Sequence, residues 1–399
     1  MTSWTGMFTW LCVVGVLALV VLPQTAEGQA KTWVVSGPAA WGDNANWDPN
    51  APGDNDGAII NNGGTATLTG ATGVAVSLWV GQASTQGGTI LIGTGGTLGN
   101  GGLTAIVGVG GYGHIEQTAG HLHMSDLYLG ADDGSTGTYS IQDATAMCPI
   151  LDIGCDGYGA MVSTRGTVTV TELYLGGDKS DYDDTTGHGE FTMIGGTQNG
   201  VEVGLLSVTR KLRLGCKSYG ALTQNGGSAN IAVLHMGGHA PGATGEYSMS
   251  SGTLVLPSYP YELEGALIVG EYGTGHFVQT GGSVDVGPGF LLASAASGTG
   301  HYQLAGGTLV QTSGTVVVGD LGIGTVELNG GTFDGKQHDH RSPDRFDWNA
   351  SGFPRSYRWA ERRAGDGGIG KSDAAFPDGP TDRRSLSHGR HRCHRPERC

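Results

Sequence analysis

The acidic stretch "DYDDTTGHG", residues 181–189, holds the side chains best suited to chemistry. Asp183, Asp184 and His188 lie within six residues of one another, and carboxylates beside an imidazole can serve as general acids and bases on polysaccharides. A glycosidase, however, needs two carboxylates at a fixed separation with the pKa of one raised, and no partner motif occurs in the neighbouring segments. The stretch is therefore a candidate catalytic loop, and the competing interpretation is a solvated insertion without catalytic residues.

The same stretch offers carboxylate oxygens, the ligands that Ca²⁺ prefers. The four candidate ligands are Asp178, Asp181, Asp183 and Asp184. Their spacing fits neither the EF-hand loop nor the Gly-Gly-x-Gly-x-Asp nonapeptide, and hydrated acidic turns have the same composition. Calcium is thus the one cofactor that the sequence suggests, and the absence of any cofactor is the alternative.

Three histidines occupy one position of a repeated motif: His114, His276 and His301. His276 and His301 fall in consecutive units, so they could share a metal ion if those units stack. We favour an outward-facing polar row, because histidines at exposed positions of a strand need no metal.

Two short motifs alternate along more than 200 residues and must position these side chains. The first has the form "GHFVQTGG" and recurs every 22 to 31 residues, beginning at Gly113, Gly137, Gly159, Gly189, Gly220, Gly245, Gly275, Gly300 and Gly324. The second has the form "LYLG" and ends at Gly130, Gly154, Gly176, Gly215, Gly237, Gly270 and Gly319. A period of this kind indicates a repeat architecture in which each unit stacks on the next.

Apolar and polar residues alternate within each unit, which is typical of a half-buried strand. Pairs such as Phe191/Met193 would face inward, and in two units Gln117 and Gln279 take the second inward position. Glycine pairs between the strands mark sharp turns that favour positive φ. The sequence predicts an all-β protein, a parallel β-helix (β-solenoid) of roughly ten turns over residues 77–335. A β-propeller is the alternative, although its blades need about 40–50 residues.

The N-terminal 30 residues read as a signal peptide, because the apolar run at residues 10–22 is too short for a membrane span. An uncleaved anchor is the alternative, since the first nine residues contain no Lys or Arg. We therefore expect an exported protein with no membrane span in the mature chain. Residues 31–76 contain Trp33, Trp41 and Trp47, which we expect to cap the open end of the solenoid. Sugar stacking by exposed tryptophans is the alternative.

Residues 336–399 break every pattern: they contain no repeat and are rich in arginine. They are either a basic, poorly ordered arm or the product of a shifted reading frame. The net charge also changes at this point. Before Lys336, 7 Lys and Arg against 27 Asp and Glu give 7 − 27 = −20; from Lys336 on, 14 Lys and Arg against 9 Asp and Glu give 14 − 9 = +5. An acidic body has no basic surface for a phosphate backbone, so we expect no nucleic-acid partner.

These motifs resemble the bacterial secreted β-strand-repeat proteins of the autotransporter-passenger type, found in planctomycete-like genomes. The resemblance rests on "WDPNAPGDNDGAI" after Trp33 and Trp41, and on "GTGHFVQTGGSVDV" and "LYLG"; it covers residues 31–335. It implies a surface-associated β-solenoid with no catalytic residues to carry over. Members usually end in a sorting tail, a β-barrel or a dockerin-like module, and this sequence has no recognisable counterpart.

The sequence favours a structural or adhesive role at the cell surface, without enzymatic activity. Polysaccharide or cell-surface components are the expected partners. One alternative is a polysaccharide-active β-helix enzyme that uses the loop from Asp181 to His188. Another is a carbohydrate-binding protein led by Trp41 and Trp47.

Overall fold

The computed structural model describes residues 28–335, apart from 83–84, 86, 100–101, 178–186, 199–200, 258–265 and 288, together with residues 355–358. In this part of the chain the regular structure is 34 β-strands and one 3₁₀ helix, Asn44–Asn46. The prediction of an all-β protein is confirmed. Residues 1–27 of the predicted leader and most of the predicted tail lie outside the described residues.

Most strands belong to three ladders of parallel pairs, named A, B and C in the order in which the chain passes through them. The strands that lie wholly in ladder A are Ala30–Trp33, Gly57–Ile60, Ser77–Val80, Thr104–Val107, Asp126–Leu129, Leu234–Met236, Leu267–Val269, Gly289–Leu292 and Thr315–Val318. Those wholly in ladder B are Pro38–Ala40, Thr65–Leu68, Gly87–Ile92, Tyr112–Gln117, Thr136–Gln142, Tyr158–Thr164, His188–Ile194, Thr274–Gln279, Thr299–Leu304 and Ile323–Leu328. Those wholly in ladder C are Thr72–Gly73, Thr97–Leu98, His121–His123, Ser283–Val286, Thr308–Gln311 and Thr332–Gly335.

Five longer strands bend from one ladder into the next. Those running from C into A are Thr145–Ile153, Thr167–Leu175 and Leu205–Leu214. Those running from B into C are Tyr219–Ile231 and Thr244–Leu256. The remaining strands pair antiparallel: Trp47–Asp48 with Ala30–Trp33, Gly196–Gln198 with Val201–Val203, and Arg355–Arg358 with Ile323–Leu328.

One passage through A, B and C is a coil, and about eleven coils stack in register. Equivalent residues of neighbouring coils therefore lie about 4.8 Å apart. The predicted parallel β-helix is confirmed, whereas a β-propeller is excluded because its blades are antiparallel sheets. Parallel pairing joins Gly57 to Ser77 and Ala30 to Gly57. Stacked strands thus also occupy part of the segment 31–76 that we predicted as a cap.

The interior is a column of apolar side chains contributed by all three ladders. The inward pairs predicted from the alternation are buried, as Phe191/Met193 illustrates, and their polar neighbours such as Thr192 face outward. A single coil could not bury this face, and stacking buries it on both sides.

Glycines with positive φ form the corners between strands. Gly282 and Gly307, each the second residue of a predicted turn pair, have φ of 73° and 79°, as expected. Gly215, at the end of an "LxLG" motif, has φ of 64°, and a Cβ there would lie 2.1 Å from the carbonyl oxygen of Thr244. The glycine of this motif is therefore required both by backbone conformation and by the close approach of the next coil.

Three glutamines, Gln117, Gln224 and Gln279, are completely buried in the column. The Nε2 of Gln279 donates hydrogen bonds to the carbonyl oxygens of Gly282 at 3.2 Å and of Thr308 at 3.0 Å. Gln117 and Gln224 make the same two types of bond. A buried amide that donates both of its protons is satisfied, which explains how a polar residue occupies the inward position.

A tyrosine of the following coil completes each glutamine site. The hydroxyl groups of Tyr247 and Tyr302 donate to Oε1 of Gln224 and Gln279, both at 2.7 Å, and Tyr139 donates to Gln117. Burial raises the pKa of these three hydroxyls, so they remain donors. In the other described coils the residue at the tyrosine position is apolar, such as Phe277, which follows a coil with Met249 at the glutamine position. Glutamine in one coil therefore specifies tyrosine in the next.

The tryptophans at the N-terminal end form a buried cluster, as the cap prediction expected. Trp47 lies edge-on to Trp33 and Trp41, with ring centroids 5.0 and 4.9 Å apart, and its Nε1 donates to the Trp41 carbonyl at 2.7 Å. Trp41 and Trp47 are only 2% and 3% exposed. Sugar binding led by these two tryptophans is therefore wrong, because stacking needs an accessible ring face.

Candidate functional site

The structure describes only some of the residues that we predicted to be catalytic or metal-binding. Asp178, Asp181, Asp183 and Asp184 lie outside the described residues, so both the catalytic and the calcium hypotheses for that loop stay predictions. His188 is described: it is the first residue of the ladder B strand His188–Ile194 and lies on the outer face. Its surroundings, rather than the aspartates, define the candidate site.

Aromatic rings stack along the outer face of ladder B on three consecutive coils. The register pairs Tyr158 with His188 and His188 with Tyr219. Their ring centroids are 5.3 Å apart for Tyr158–His188 and 4.6 Å apart for His188–Tyr219. Equivalent positions of in-register parallel strands are neighbours at about 4.8 Å, which brings the rings into contact. We call these three residues the ring array.

Carboxylates at the next outward position hold the ring array in place. The Tyr158 hydroxyl donates to Oε2 of Glu190 at 3.0 Å, and His188 Nε2 lies 2.8 Å from Oε1 of the same residue. One coil further on, the Tyr219 hydroxyl donates to Oε2 of Glu246 at 2.9 Å. Burial and the hydrogen bond to Glu246 raise the pKa of Tyr219 to about 12, so this hydroxyl stays protonated near neutral pH.

A shallow depression opens beside the ring array because a small residue separates the two carboxylates. Ala221 pairs with Glu190 on one side and with Glu246 on the other. Glu190 and Glu246 are thus two coils apart, about 10 Å along the stack. Polar side chains complete the lining, which includes Glu190, Tyr219, Ala221, Thr223, Glu246 and Ser248. The depression can accept a small polar group between two carboxylates.

The histidine row continues this face on the C-terminal side. His276 and His301 are paired in register, with ring centroids 5.8 Å apart, and His301 Nε2 lies 3.6 Å from a Glu327 carboxylate oxygen. His114, further toward the N-terminus, lies 2.8 Å from the Thr138 hydroxyl. The outward polar row is therefore what the structure shows. Within the described residues, no group of three or more His, Cys, Asp or Glu side chains is arranged to hold a metal ion.

A buried contact between a histidine and a glutamate, which the sequence motifs did not indicate, joins the ladder A strand Leu234–Met236 to the turn after Leu267–Val269. His235 Nδ1 is 3.0 Å from Oε2 of Glu271, and their side chains are 1% and 12% exposed. Burial acts to raise the pKa of Glu271, but the hydrogen bond from His235 and the nearby charges of Arg213 and His239 outweigh it and lower the pKa. This pair connects neighbouring coils and is too enclosed to meet a large ligand.

Three cysteines in the described core are buried and form no disulfide: Cys148, Cys155 and Cys216. Burial raises the pKa of the Cys148 thiol to about 12, so it is an inert packing group. Among the residues that the structure describes, no helix is long and apolar enough to cross a membrane.

The tyrosines of the ring array were missed at the level of sequence. The signal was present, because Tyr158, His188 and Tyr219 each precede the glycine that begins a "GHFVQTGG" motif. Aligning the residue before that glycine would have placed the three aromatic side chains in one row.

Comparison of the chain with protein-family models, with curated proteins and with solved structures finds no match. The structure is compatible with a β-helical repeat protein, and this is the part of the family resemblance that it supports.

Proposed function

We propose that this protein is an exported, non-enzymatic β-solenoid that adheres to a polysaccharide through the outer face of ladder B. The ring array of Tyr158, His188 and Tyr219 carries this proposal, since it presents aromatic side chains on three successive coils. A polysaccharide also repeats its binding groups along a line. Aromatic residues with a polar tip bind sugars through both ring contact and hydrogen bonds.

The carboxylates add the hydrogen-bond acceptors that sugar hydroxyls need. Glu190 and Glu246 are held by tyrosine hydroxyls, so their orientation is set before a ligand arrives. Preorganised groups lose less conformational entropy on binding, which favours affinity. The ring array spans three coils, and the carboxylates of Glu190 and Glu246 lie two coils apart, so a chain lying along the stack would meet both kinds of group.

Export and surface attachment follow from the sequence features rather than from the ladder. The predicted leader at residues 1–30 and the resemblance to secreted β-strand-repeat proteins both support an extracellular or cell-surface location. In that location a stable stack of coils would serve as an adhesive scaffold.

Binding of the full chain to a panel of immobilised neutral, amine-bearing and acidic polysaccharides tests this function. We expect Tyr158→Ala and Tyr219→Ala each to weaken binding about two- to tenfold, because an aromatic contact contributes about 0.5–1.5 kcal/mol beyond its buried area. Tyr272→Ala is the matched control, since Tyr272 is 45% exposed and lies outside ladder B. Equal binding by all three variants, or no binding to any polysaccharide, would refute the proposed function.

A polysaccharide-active enzyme is the second candidate, because two outward carboxylates, Glu190 and Glu246, line one depression. Their backbone positions are about 10 Å apart along the stack, whereas the carboxyl groups of inverting glycosidases are about 6.5–9.5 Å apart. Release of reducing or unsaturated ends by the purified protein, abolished in Glu190→Gln, would support hydrolysis or lysis. Binding without any released ends would favour the adhesive function.

A further inference from the structure

We propose that the polysaccharide carries free amino groups, and that one protonated amine binds in the depression between Glu190 and Glu246. This inference rests on the proposed function and names the chemical class of its ligand. Three features of ladder B support it: the sign of its charges, the unused acceptor atoms of its carboxylates, and the space beside Ala221.

The parallel strands of ladder B present one sign of fixed charge, and only the antiparallel strand Arg355–Arg358, next to the last of them, brings arginines to this ladder in the described part of the chain. No Lys or Arg occurs in its described strands from Pro38–Ala40 to Ile323–Leu328. Four outward glutamates lie on this face: Glu116, Glu190, Glu246 and Glu327. The chain before Lys336 has a net charge of −20, which adds a long-range field of the same sign. Charge complementarity therefore selects a cationic polymer and disfavours polymers of uronic acids or sulfated sugars.

The two carboxylates that flank the depression retain acceptor capacity. Glu246 accepts one hydrogen bond in the structure, from Tyr219 to Oε2, although an ionised carboxylate has about four acceptor sites. Glu190 accepts bonds from Tyr158 and His188, one on each oxygen. An ammonium group has three donors and no acceptor, so it matches a site whose open positions are acceptors.

The depression is wide enough because Ala221 replaces a longer side chain at the centre of the row. Its pairing partners are Glu190 on the preceding coil and Glu246 on the following one. An amine above Ala221 would lie roughly 4.8 Å, one coil spacing, from the backbone positions of Glu190 and Glu246. A neutral acetamide has no charge to engage them, so acetylation of the amine should remove the preference.

Three soluble oligosaccharides of equal length test the inference by titration calorimetry with the full chain: a β-linked glucosamine oligomer with free amines, its fully N-acetylated form, and a uronic-acid oligomer. We expect the free-amine oligomer to bind at least tenfold more tightly than the other two, and to weaken as salt is raised. Glu190→Gln and Glu246→Gln should each reduce its affinity about tenfold and reduce the weaker binding of the acetylated oligomer by a smaller factor, so that the preference for the free amine is lost. Asp133→Asn, which removes one exposed charge from a turn, is the control for net charge.

The outcomes separate this inference from the proposed function. If the acetylated and free-amine oligomers bind equally and Tyr219→Ala weakens both, the adhesive function stands and the amine preference is overturned. Tighter binding of the uronic-acid oligomer would also overturn it. If none of the three oligomers binds, and none of the immobilised polysaccharides does, the proposed function itself fails. Asp133→Asn weakening binding as much as Glu190→Gln would show a general charge effect and overturn the assignment to the depression.

Discussion

Gln279→Leu is the substitution that most directly tests how neighbouring coils are joined. The change keeps an inward side chain of similar volume but removes three hydrogen bonds: two donated to the carbonyl oxygens of Gly282 and Thr308, and one accepted from the Tyr302 hydroxyl. Tyr302 is fully buried, so water cannot replace its lost acceptor.

The expected cost follows from these contacts. A buried hydroxyl left without a partner costs about 1–3 kcal/mol, and each lost intramolecular hydrogen bond costs about 0.5–1.5 kcal/mol. The Gly282 carbonyl keeps a backbone bond from Thr308, which limits the penalty there. We expect Gln279→Leu to lower the free energy of unfolding by about 2–5 kcal/mol. Adding Tyr302→Phe should recover about 1–3 kcal/mol, because the stranded hydroxyl is removed.

Urea denaturation followed by circular dichroism measures the shift of the unfolding midpoint in the two single variants and the double variant. Repeat arrays can unfold in segments, so hydrogen exchange of peptides covering residues 274–311 should be followed as well. The matched control is Phe277→Tyr with and without Met249→Gln. Phe277 lies one coil after Met249, in the position that Tyr302 has relative to Gln279, so tyrosine alone should destabilise the chain and the added glutamine should rescue it.

Additive effects would refute this reasoning. If Gln279→Leu and Tyr302→Phe together cost the sum of their separate effects, the two side chains are not energetically coupled. Failure of Met249→Gln to rescue Phe277→Tyr would likewise show that the pairing of glutamine and tyrosine does not specify the contact between coils.

Three further outcomes are expected. The folded-state pKa of Glu271 is lowered beside His235. The contribution of Glu271 to stability should therefore be complete above the ordinary glutamate pKa of about 4.3 and should be lost as pH falls through the lowered pKa. Glu271→Gln should flatten that part of a plot of unfolding free energy against pH. Gly215→Ala should reduce the melting temperature at a cost of about 1–3 kcal/mol, because its φ is positive, whereas Gly242→Ala, with open space around it, should not. Near-ultraviolet titration should show a phenol with a pKa of about 12 that disappears in Tyr219→Phe.

The sequence by itself determined the architecture of this protein. Alternation at residues such as Phe191, Thr192 and Met193 has a period of two, and only a strand places every second side chain on one face. Glycine at Gly282 and Gly307 marked corners, because positive φ is costly for other residues. Both signals are local, so they could be read without knowing which coil touches which. The predicted catalytic and calcium-binding aspartates remain hypotheses, since they lie outside the described residues.

Tertiary structure decided which side chains meet. Tyr158, His188 and Tyr219 are separated by about thirty residues along the chain and become neighbours only because the coils stack in register. Register also brings Tyr302 to Gln279, which turns an apparent exception in the alternation into a satisfied buried site. The tryptophans at the N-terminal end show the reverse, since packing enclosed rings that composition alone left free to bind sugar. Contacts between coils depend on the length of every intervening loop, and a period read along one strand carries no information about that alignment.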